Sequence, residues 1–438
     1  MKLLNLITLG CAKNIVDSEH LAARCEARGY RVVFDSNRTD VDVVVINTCG
    51  FIGDAKVESI DTILRAARLR QEGKIKQLYV IGCLSQRYAD DLRTEIPEVD
   101  DFFGARSLDE IIERLGADQS AECDVQRLLS TPKHYAYLKI AEGCNWRCGY
   151  CAIPLIRGKH ISVPMPQLLE EARQLAAKGV RELIVIAQDT TYYGIDLYGE
   201  RRLAQLLEAL CRIDGIEWIR LHYAYPTDFP QDVIEVMARE PKICNYIDIP
   251  LQHISDNQLA KMHRRHTKSD ALALIARLRK AIPDIAIRTT LLVGYPDESE
   301  QDFRELQEFV AEQRFERLGV FTYSEEEGTY SAERLTDNVP QEVKEQRADA
   351  IMRQQSEISR ELNAKRTGSV QRVIIDRREG DYYIGRSQYD SPEVDEEILI
   401  DASERRLLRG RFYDVRITAY DDYDLYGEVV DTKQCKKR

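Results

Sequence analysis

Tyr135-Ala136-Tyr137-Leu138-Lys139-Ile140-Ala141-Glu142-Gly143-Cys144-Asn145-Trp146-Arg147-Cys148-Gly149-Tyr150-Cys151 is the passage from which the rest of the chain can be read. It opens as an apolar, strand-like run and breaks at a glycine into three cysteines at CxxxCxxC spacing. Three thiolates on one short loop can wrap a cubane iron–sulfur cluster and leave its fourth iron open to a ligand. A structural zinc site closes its shell with four ligands instead, and His160 is the residue that would complete one here, so that alternative stays open.

Downstream of the loop, helical patterns near 167–178, 201–212, 231–239, 256–262, 269–281 and 299–313 alternate with apolar runs at 182–187, 216–221, 246–249, 285–293 and 318–323. With the run at 135–140 these make six βα units. They predict a parallel sheet curved into a partial barrel, with its chemistry at the carboxyl ends of the strands. Upstream, runs at 3–9, 41–46 and 78–81 read as buried strands of a doubly wound α/β sheet, with amphipathic segments near 17–28, 54–72 and 85–96. A cysteine follows each run, in Gly10-Cys11, Thr48-Cys49 and Gly82-Cys83. Separations of 38 and 34 residues match about one βα repeat each, so three thiols can meet at the strand ends that line the crevice of such sheets. Cysteine is also commonly buried, which leaves simple packing open. Cys25, Cys211 and Cys244 lie in runs without a glycine break and read as core, while Cys123 and Cys435 have no partner by spacing.

Residues 341–366 predict one long charged helix. From 368 onward short alternating strands at 370–376, 382–386, 397–400 and 414–419 predict a small antiparallel β-barrel. The expected domains are 1–120, 131–367 and 368–436, with a polar linker over 117–132. Three domains suit 438 residues at roughly 150 per domain.

Hydrophobic residues at 44% and charged residues at 31% describe an ordinary globular chain and exclude a disordered or fibrous one. Apolar runs such as Val43–Ile46 fall far short of the ~18 residues that cross a bilayer. The run Leu3–Leu9 contains Asn5 and is too short for a signal-peptide core. The expected location is therefore the cytoplasm, where 11 cysteines point to metal binding or catalysis rather than disulfides. A net charge of −12 argues against a broad nucleic-acid surface.

CxxxCxxC with an aromatic before the third cysteine, after the first strand of a partial barrel, resembles the radical S-adenosylmethionine (SAM) superfamily. That resemblance implies that the open iron chelates the amino and carboxylate groups of SAM, and that one-electron reduction cleaves SAM to a 5′-deoxyadenosyl radical. Leu9-Gly10-Cys11-Ala12-Lys13-Asn14 with Asp17-Ser18-Glu19, Asn47-Thr48-Cys49 and Gly82-Cys83 are similar to the N-terminal domain of the methylthiotransferases. Ala152-Ile153-Pro154, Arg157-Gly158, Pro250-Leu251-Gln252-His253 and Tyr323-Ser324 to Gly328-Thr329 are also like that family, and the C-terminal barrel resembles a TRAM domain. Two departures stand out: Ser162-Val163 where Ser-Arg is common, and Tyr295-Pro296-Asp297-Glu298 where Phe-Pro-Gly-Glu is frequent.

The methylthiotransferase resemblance implies two 4Fe–4S clusters, the radical cluster on Cys144, Cys148 and Cys151 and a sulfur-carrying cluster on Cys11, Cys49 and Cys83. One SAM would methylate that sulfur and a second would yield the radical. No catalytic side chain beyond the clusters is implied, and the reductant would be of flavodoxin or ferredoxin type. Tyr150 is expected at the cluster edge, with neighbouring backbone on adenine. Gln188 and Asp189, at the end of the second barrel strand, are expected to reach SAM or to cap a turn. His253 is expected either to line the substrate cavity or to be a satisfied loop histidine.

The family acts either on a tRNA adenosine or on an aspartate of a small-subunit ribosomal protein. Over 368–432, nine arginines face 16 acidic residues, a balance of −7 that the four charges in Lys433–Arg438 soften. Polyanion binding needs Lys and Arg, so this balance predicts a basic ribosomal protein as substrate rather than tRNA. Glu325 at the expected mouth, with Glu393 and Asp395 on the barrel, are the expected substrate contacts. The competing readings are a solvated surface without a recognition role and a non-catalytic iron–sulfur protein.

Overall fold

The structure, a computed structural model, describes residues 2–116, 126–403 and 405–430. Cys123, Cys435, the basic tail and most of the expected linker lie outside them. Strands β1 (Leu3–Thr8), β2 (Arg31–Phe34), β3 (Val41–Thr48), β4 (Ile75–Gly82) and β5 (Asp101–Gly104) form a parallel sheet in the order β2-β1-β3-β4-β5. Helices cover both faces, which is why the central strands read as unbroken apolar runs. Leu4, Leu6, Val43, Val45 and Ile81 face one core, while Val44, Ile46, Leu78 and Val80 face the other. The flanking strands β2 and β5 have four residues each, too few to show a period. The first helix begins at Ala12, five residues before the expected start, because its first turn buries the polar Lys13 and Asn14 beside Val16, which blurs the apolar stripe.

The central sheet comprises β6 (Tyr135–Lys139), β9 (Glu182–Ile186), β10 (Trp218–Leu221), β11 (Ile243–Asp248), β12 (Ala286–Val293) and β13 (Arg317–Thr322), between parallel neighbours in chain order. A short antiparallel pair, β7 (Ala141–Glu142) with β8 (Ile161–Ser162), folds the cysteine loop back on itself. Helices pack outside over Leu138, Val185, Ile219, Ile247 and Leu291. On the other face Tyr135, Tyr137, Ile184 and Ile186 receive Ala12, Ile15 and Val16 from the N-terminal helix. The expected linker is not a mere spacer. Arg127 is buried and donates to Glu19 at 2.9 Å and to Glu171 at 2.7 Å, clamping the two units together. Glu19 belongs to Asp17-Ser18-Glu19, whose other members take Arg157 and Asn47.

β14 (Val370–Glu379), β15 (Tyr382–Arg386), β16 (Ile398–Asp401), β17 (Phe412–Tyr420) and β18 (Leu425–Val429) close a barrel in the order β14-β15-β16-β18-β17. Its pairings are antiparallel except β16 with β18, which is parallel. This barrel docks on the amino ends of the central strands. Arg386 donates to Glu182 at 2.8 Å, His134 meets Asp376 at 2.7 Å, and Arg317 pairs with Asp390.

The acidic segment 393–397 corrects an expectation. The Asp395 side chain is 1% exposed, paired with Arg288 at 3.2 Å and accepting from the Tyr246 hydroxyl at 2.8 Å. Glu396 is buried against Arg317 at 3.0 Å, and Glu397 pairs with Arg377 at 2.7 Å. Buried carboxylates without such partners would be costly, so these residues anchor the barrel and do not face a partner. Glu393 is exposed and accepts from the Tyr135 hydroxyl at 2.9 Å. Among the described residues no helix is long and apolar enough to cross a membrane.

Candidate functional site

The cysteine loop is fixed by its backbone. Gly143 has φ +77°, and a Cβ there would lie 2.1 Å from the Lys159 carbonyl oxygen, so only glycine lets the two halves of the loop close. The Cys144 amide donates to Gly158 O and the Cys151 amide to Cys148 O, each at 3.0 Å. Cys148 Sγ stands 3.7 Å from the Tyr225 hydroxyl and 3.7 Å from Arg264 Nη1. Tyr225 stacks on Trp146 with centroids 4.3 Å apart, and the Arg264 guanidinium lies 4.2 Å over the Tyr225 ring.

Cys11, Cys49 and Cys83 follow β1, β3 and β4, three neighbouring strands, so they stand side by side at one sheet edge. Gly10 has φ +89°, and a Cβ there would lie 2.7 Å from Cys49 Cβ. Gly82 has φ +115° and leaves no room for a Cβ, which would meet Thr48 O at 2.5 Å. Asn14 Nδ2 donates to Leu9 O at 2.8 Å and to Thr48 O at 3.1 Å, tying two of the strand ends together, and Asn47 Nδ2 donates to Asn14 O at 3.0 Å.

Burial pushes the thiols up, Cys144 to about 12 and Cys83 to about 11, with Cys49 and Cys151 also raised. Each of these thiols also feels another of its own triad, and each triad has one buried guanidinium that opposes the rise: Arg264 at the loop and Arg157 at the strand ends. Three free thiols beside a cation, cradled by glycines, fit an anionic thiolate-ligated cluster, whose metal takes the place of the thiol protons. His160 Nε2 is engaged by Ser162 Oγ at 3.0 Å, and among the described residues no His/Cys/Asp/Glu group converges on a single ion.

Arg157 joins the two triads. It follows the short helix Ile153–Ile156 after the loop and donates to Asp17 at 2.8 Å, Glu142 at 3.1 Å and Asn14 at 2.5 Å. Cys83 itself packs on Ala152 and Ile156 of that helix. The roles of Arg157 and Asn14 escape a reading of spacing, although both lie within the motif letters.

The remaining expected site residues separate. Tyr150 is half-buried, with its hydroxyl 3.5 Å from Arg264 Nη1, while the adjacent Gly149 already donates to Met262 O and accepts from the Ser331 amide. Gln188 sits at the mouth and donates to Glu142 at 2.8 Å. Asp189 is 1% exposed and spent: Oδ1 accepts from the Thr191 amide at 2.9 Å and Oδ2 from Trp146 Nε1 at 2.6 Å. It caps a turn and orients Trp146, which corrects the expectation that it reaches SAM. His253 is fully buried, with Nε2 on Glu298 at 3.1 Å and Nδ1 accepting from the Ser255 amide at 3.0 Å, so it does not line a cavity. Glu325 is exposed, but the adjacent Glu326 is buried between Lys56 and Arg87, each at 2.8 Å. Asp297, where glycine is frequent, has φ +60° and is held by Asn338, which explains that position.

Family models match three stretches of the chain: "Radical SAM superfamily" at residues 138–310, "Uncharacterized protein family UPF0004" at 4–104 and "TRAM domain" at 367–430. The chain is 52% identical to the ribosomal protein uS12 methylthiotransferase RimO of Phocaeicola vulgatus, over 98% of this chain and 99% of that one. It is 55% identical to the RimO of Christiangramia forsetii, over 99% and 96%. Among solved structures it shares its fold with the radical SAM methyltransferase TsrM of Kitasatospora setae, at a TM-score of 0.56 and 14% identity over 73% of each chain. It likewise resembles the cobalamin-dependent radical SAM enzyme OxsB, at a TM-score of 0.52 and 12% identity over 82% of this chain and 56% of that one.

Proposed function

The chain belongs to the RimO family of ribosomal protein uS12 methylthiotransferases, which is built on a radical SAM domain, and from that footing we propose that it adds a methylthio group to the β-carbon of an aspartate of uS12. It is a transferase that uses SAM and a 4Fe–4S cluster. We assign the radical cluster to Cys144, Cys148 and Cys151, and a second 4Fe–4S cluster to Cys11, Cys49 and Cys83. When bound, these groups would supply the sulfur and the radical. The observation that carries the two-cluster reading is Arg157, a single buried cation that reaches from the loop triad's helix to the strand-end triad.

The chain's own residues hold and shield. Gly10, Gly82, Asn14 and Asn47 keep the strand-end cysteines in register, Gly143 closes the loop, and Arg264 and Arg157 offset the negative charge of ligated thiolates. The Trp146–Tyr225 stack and the Arg264 side chain cover Cys148, which keeps water from the radical side. Tyr150 and Gln188 are the residues nearest to a bound SAM in this reading. The electron donor is a flavodoxin or ferredoxin, and the enzyme works in the cytoplasm, where ribosomes are assembled.

A protein substrate rests on the relatives, because two of the carboxylates that argued for it from charge are buried in ion pairs. Glu325 and Glu393 remain available as exposed contacts. The test is mass spectrometry of uS12 and of tRNA from cells lacking the gene, with and without the gene restored. The expected result is a methylthio group on one uS12 aspartate only when the gene is present. The same group gained by tRNA, with uS12 unmodified, overturns the proposal.

A further inference from the structure

Cations of the central sheet and its cysteine loop are mostly paired. Lys139 meets Glu142 at 2.6 Å, Arg157 meets Asp17 at 2.8 Å, and Arg288 meets Asp395 at 3.2 Å. Lys13 differs. It leaves the first turn of the N-terminal helix two residues after Cys11, is 7% exposed, and among the described residues meets no carboxylate at ion-pair distance. Its Nζ sits 3.0 Å above the centroid of Tyr223, which follows β10. Its titratable neighbours are Cys11, Asp248 at the end of β11, Glu142 after β6, and Arg157. The amine therefore stands between the strand-end triad and the barrel mouth.

We propose that Lys13 is a specificity-determining residue that binds the side-chain carboxylate of the target aspartate and so turns its β-carbon toward the two triads; this rests on the protein-substrate reading above. Burying an ammonium group costs several kcal/mol unless an anion compensates it, and here the compensating anion would arrive with the substrate. The floor under Lys13 also suits a polypeptide. Asp248 is 2% exposed, its Oδ2 accepts from the Tyr223 amide at 3.1 Å, and among the described residues its Oδ1 accepts no hydrogen bond, with Arg288 Nη1 3.8 Å away. An aspartate within a chain offers both complements, a carboxylate for Lys13 and a backbone N–H for Asp248.

The carboxylate of SAM carries the same chemistry, and a purely structural role would be to offset the charge of the strand-end triad, so the experiment separates all three. Purified uS12 and uS12 with its target aspartate changed to asparagine are titrated onto the iron-loaded full chain, as wild type, Lys13→Met and Lys13→Arg. SAM affinity and iron content are measured on each. Wild type is expected to prefer the aspartate form about tenfold or more, as an interaction with a charged group implies. Lys13→Met should bind both forms alike, Lys13→Arg should keep part of the preference, and iron content and SAM affinity should match wild type. A Lys13→Met protein that keeps the preference overturns the proposal, as does one whose main loss is in SAM affinity or in iron. Wild type that neither binds nor modifies uS12 overturns the function proposed above, a distinct result that takes this role with it.

Discussion

The two cysteine triads reach similar surroundings by opposite routes. Cys144, Cys148 and Cys151 lie within eight residues, on a loop that a glycine and a two-strand hairpin fold back on itself. Cys11, Cys49 and Cys83 span 72 positions of sequence and meet only because β1, β3 and β4 are adjacent and parallel. Yet both sites carry a glycine at positive φ, one buried cysteine among three, and one buried guanidinium. What differs is the source of order: local spacing in the first, sheet topology in the second.

The largest effects come from removing either triad. Reconstituted wild type is expected to bind about eight irons per chain, and loss of one whole triad should leave about four. Cys148→Ala should abolish both reductive SAM cleavage and product, whereas Cys83→Ala should spare SAM cleavage and abolish methylthio transfer. Normal product from Cys83→Ala would break the comparison by leaving the strand-end triad without a role.

Smaller changes should separate the triads more finely. At Gly82 a methyl group meets Thr48 O at 2.5 Å, and at Gly143 it meets Lys159 O at 2.1 Å, with positive-φ backbone strain on the order of 1–3 kcal/mol added in each case. Gly82→Ala should lower iron at the strand ends and leave SAM cleavage, and Gly143→Ala should do the reverse. Iron analysis beside a SAM-cleavage assay reads both.

The smallest effect lies at the far end of the barrel and serves as a control. Burial outweighs the Arg317 cation and pushes Glu396 up from 4.5 to about 7. The folded state thus holds this proton more tightly than the unfolded chain does, so stability falls as pH rises through that window, by on the order of 2–3 kcal/mol. Glu396→Gln should flatten that fall without changing iron content. Unfolding midpoints of the two proteins at pH 5 and pH 8 check it, and an equal pH dependence in both would contradict the assignment.

Strand periodicity made the central sheet legible, because six buried runs separated by amphipathic helices leave little choice of topology. The strand-end cysteines were visible for the same reason, each placed just after an apolar run. Short flanking strands such as β2 and β5 were not, since four residues carry no period. β18 was hidden behind the acidic turn Asp421–Asp424. Charge misled where composition was taken for surface: Asp395 and Glu396 count as acidic residues but lie inside ion pairs made with partners more than 70 positions away. Asp189 and His253 failed as binding residues because the partners that satisfy them, Trp146 and Glu298, are more than 40 positions distant.

The docking of the C-terminal barrel bears on how this chain can be cut and rejoined. Glu182 of β9 is fully buried and held by Arg220 from the same sheet and by Arg386 from the barrel, while Arg386 also grips Asp376. Excising residues beyond 367 would strip Glu182 of one cation and leave His134 and Arg317 without their carboxylates. A chimaera that borrows this barrel from another protein must therefore carry the matching residues of the sheet's amino edge with it. The graft boundary follows the ion pairs, not the end of the long helix.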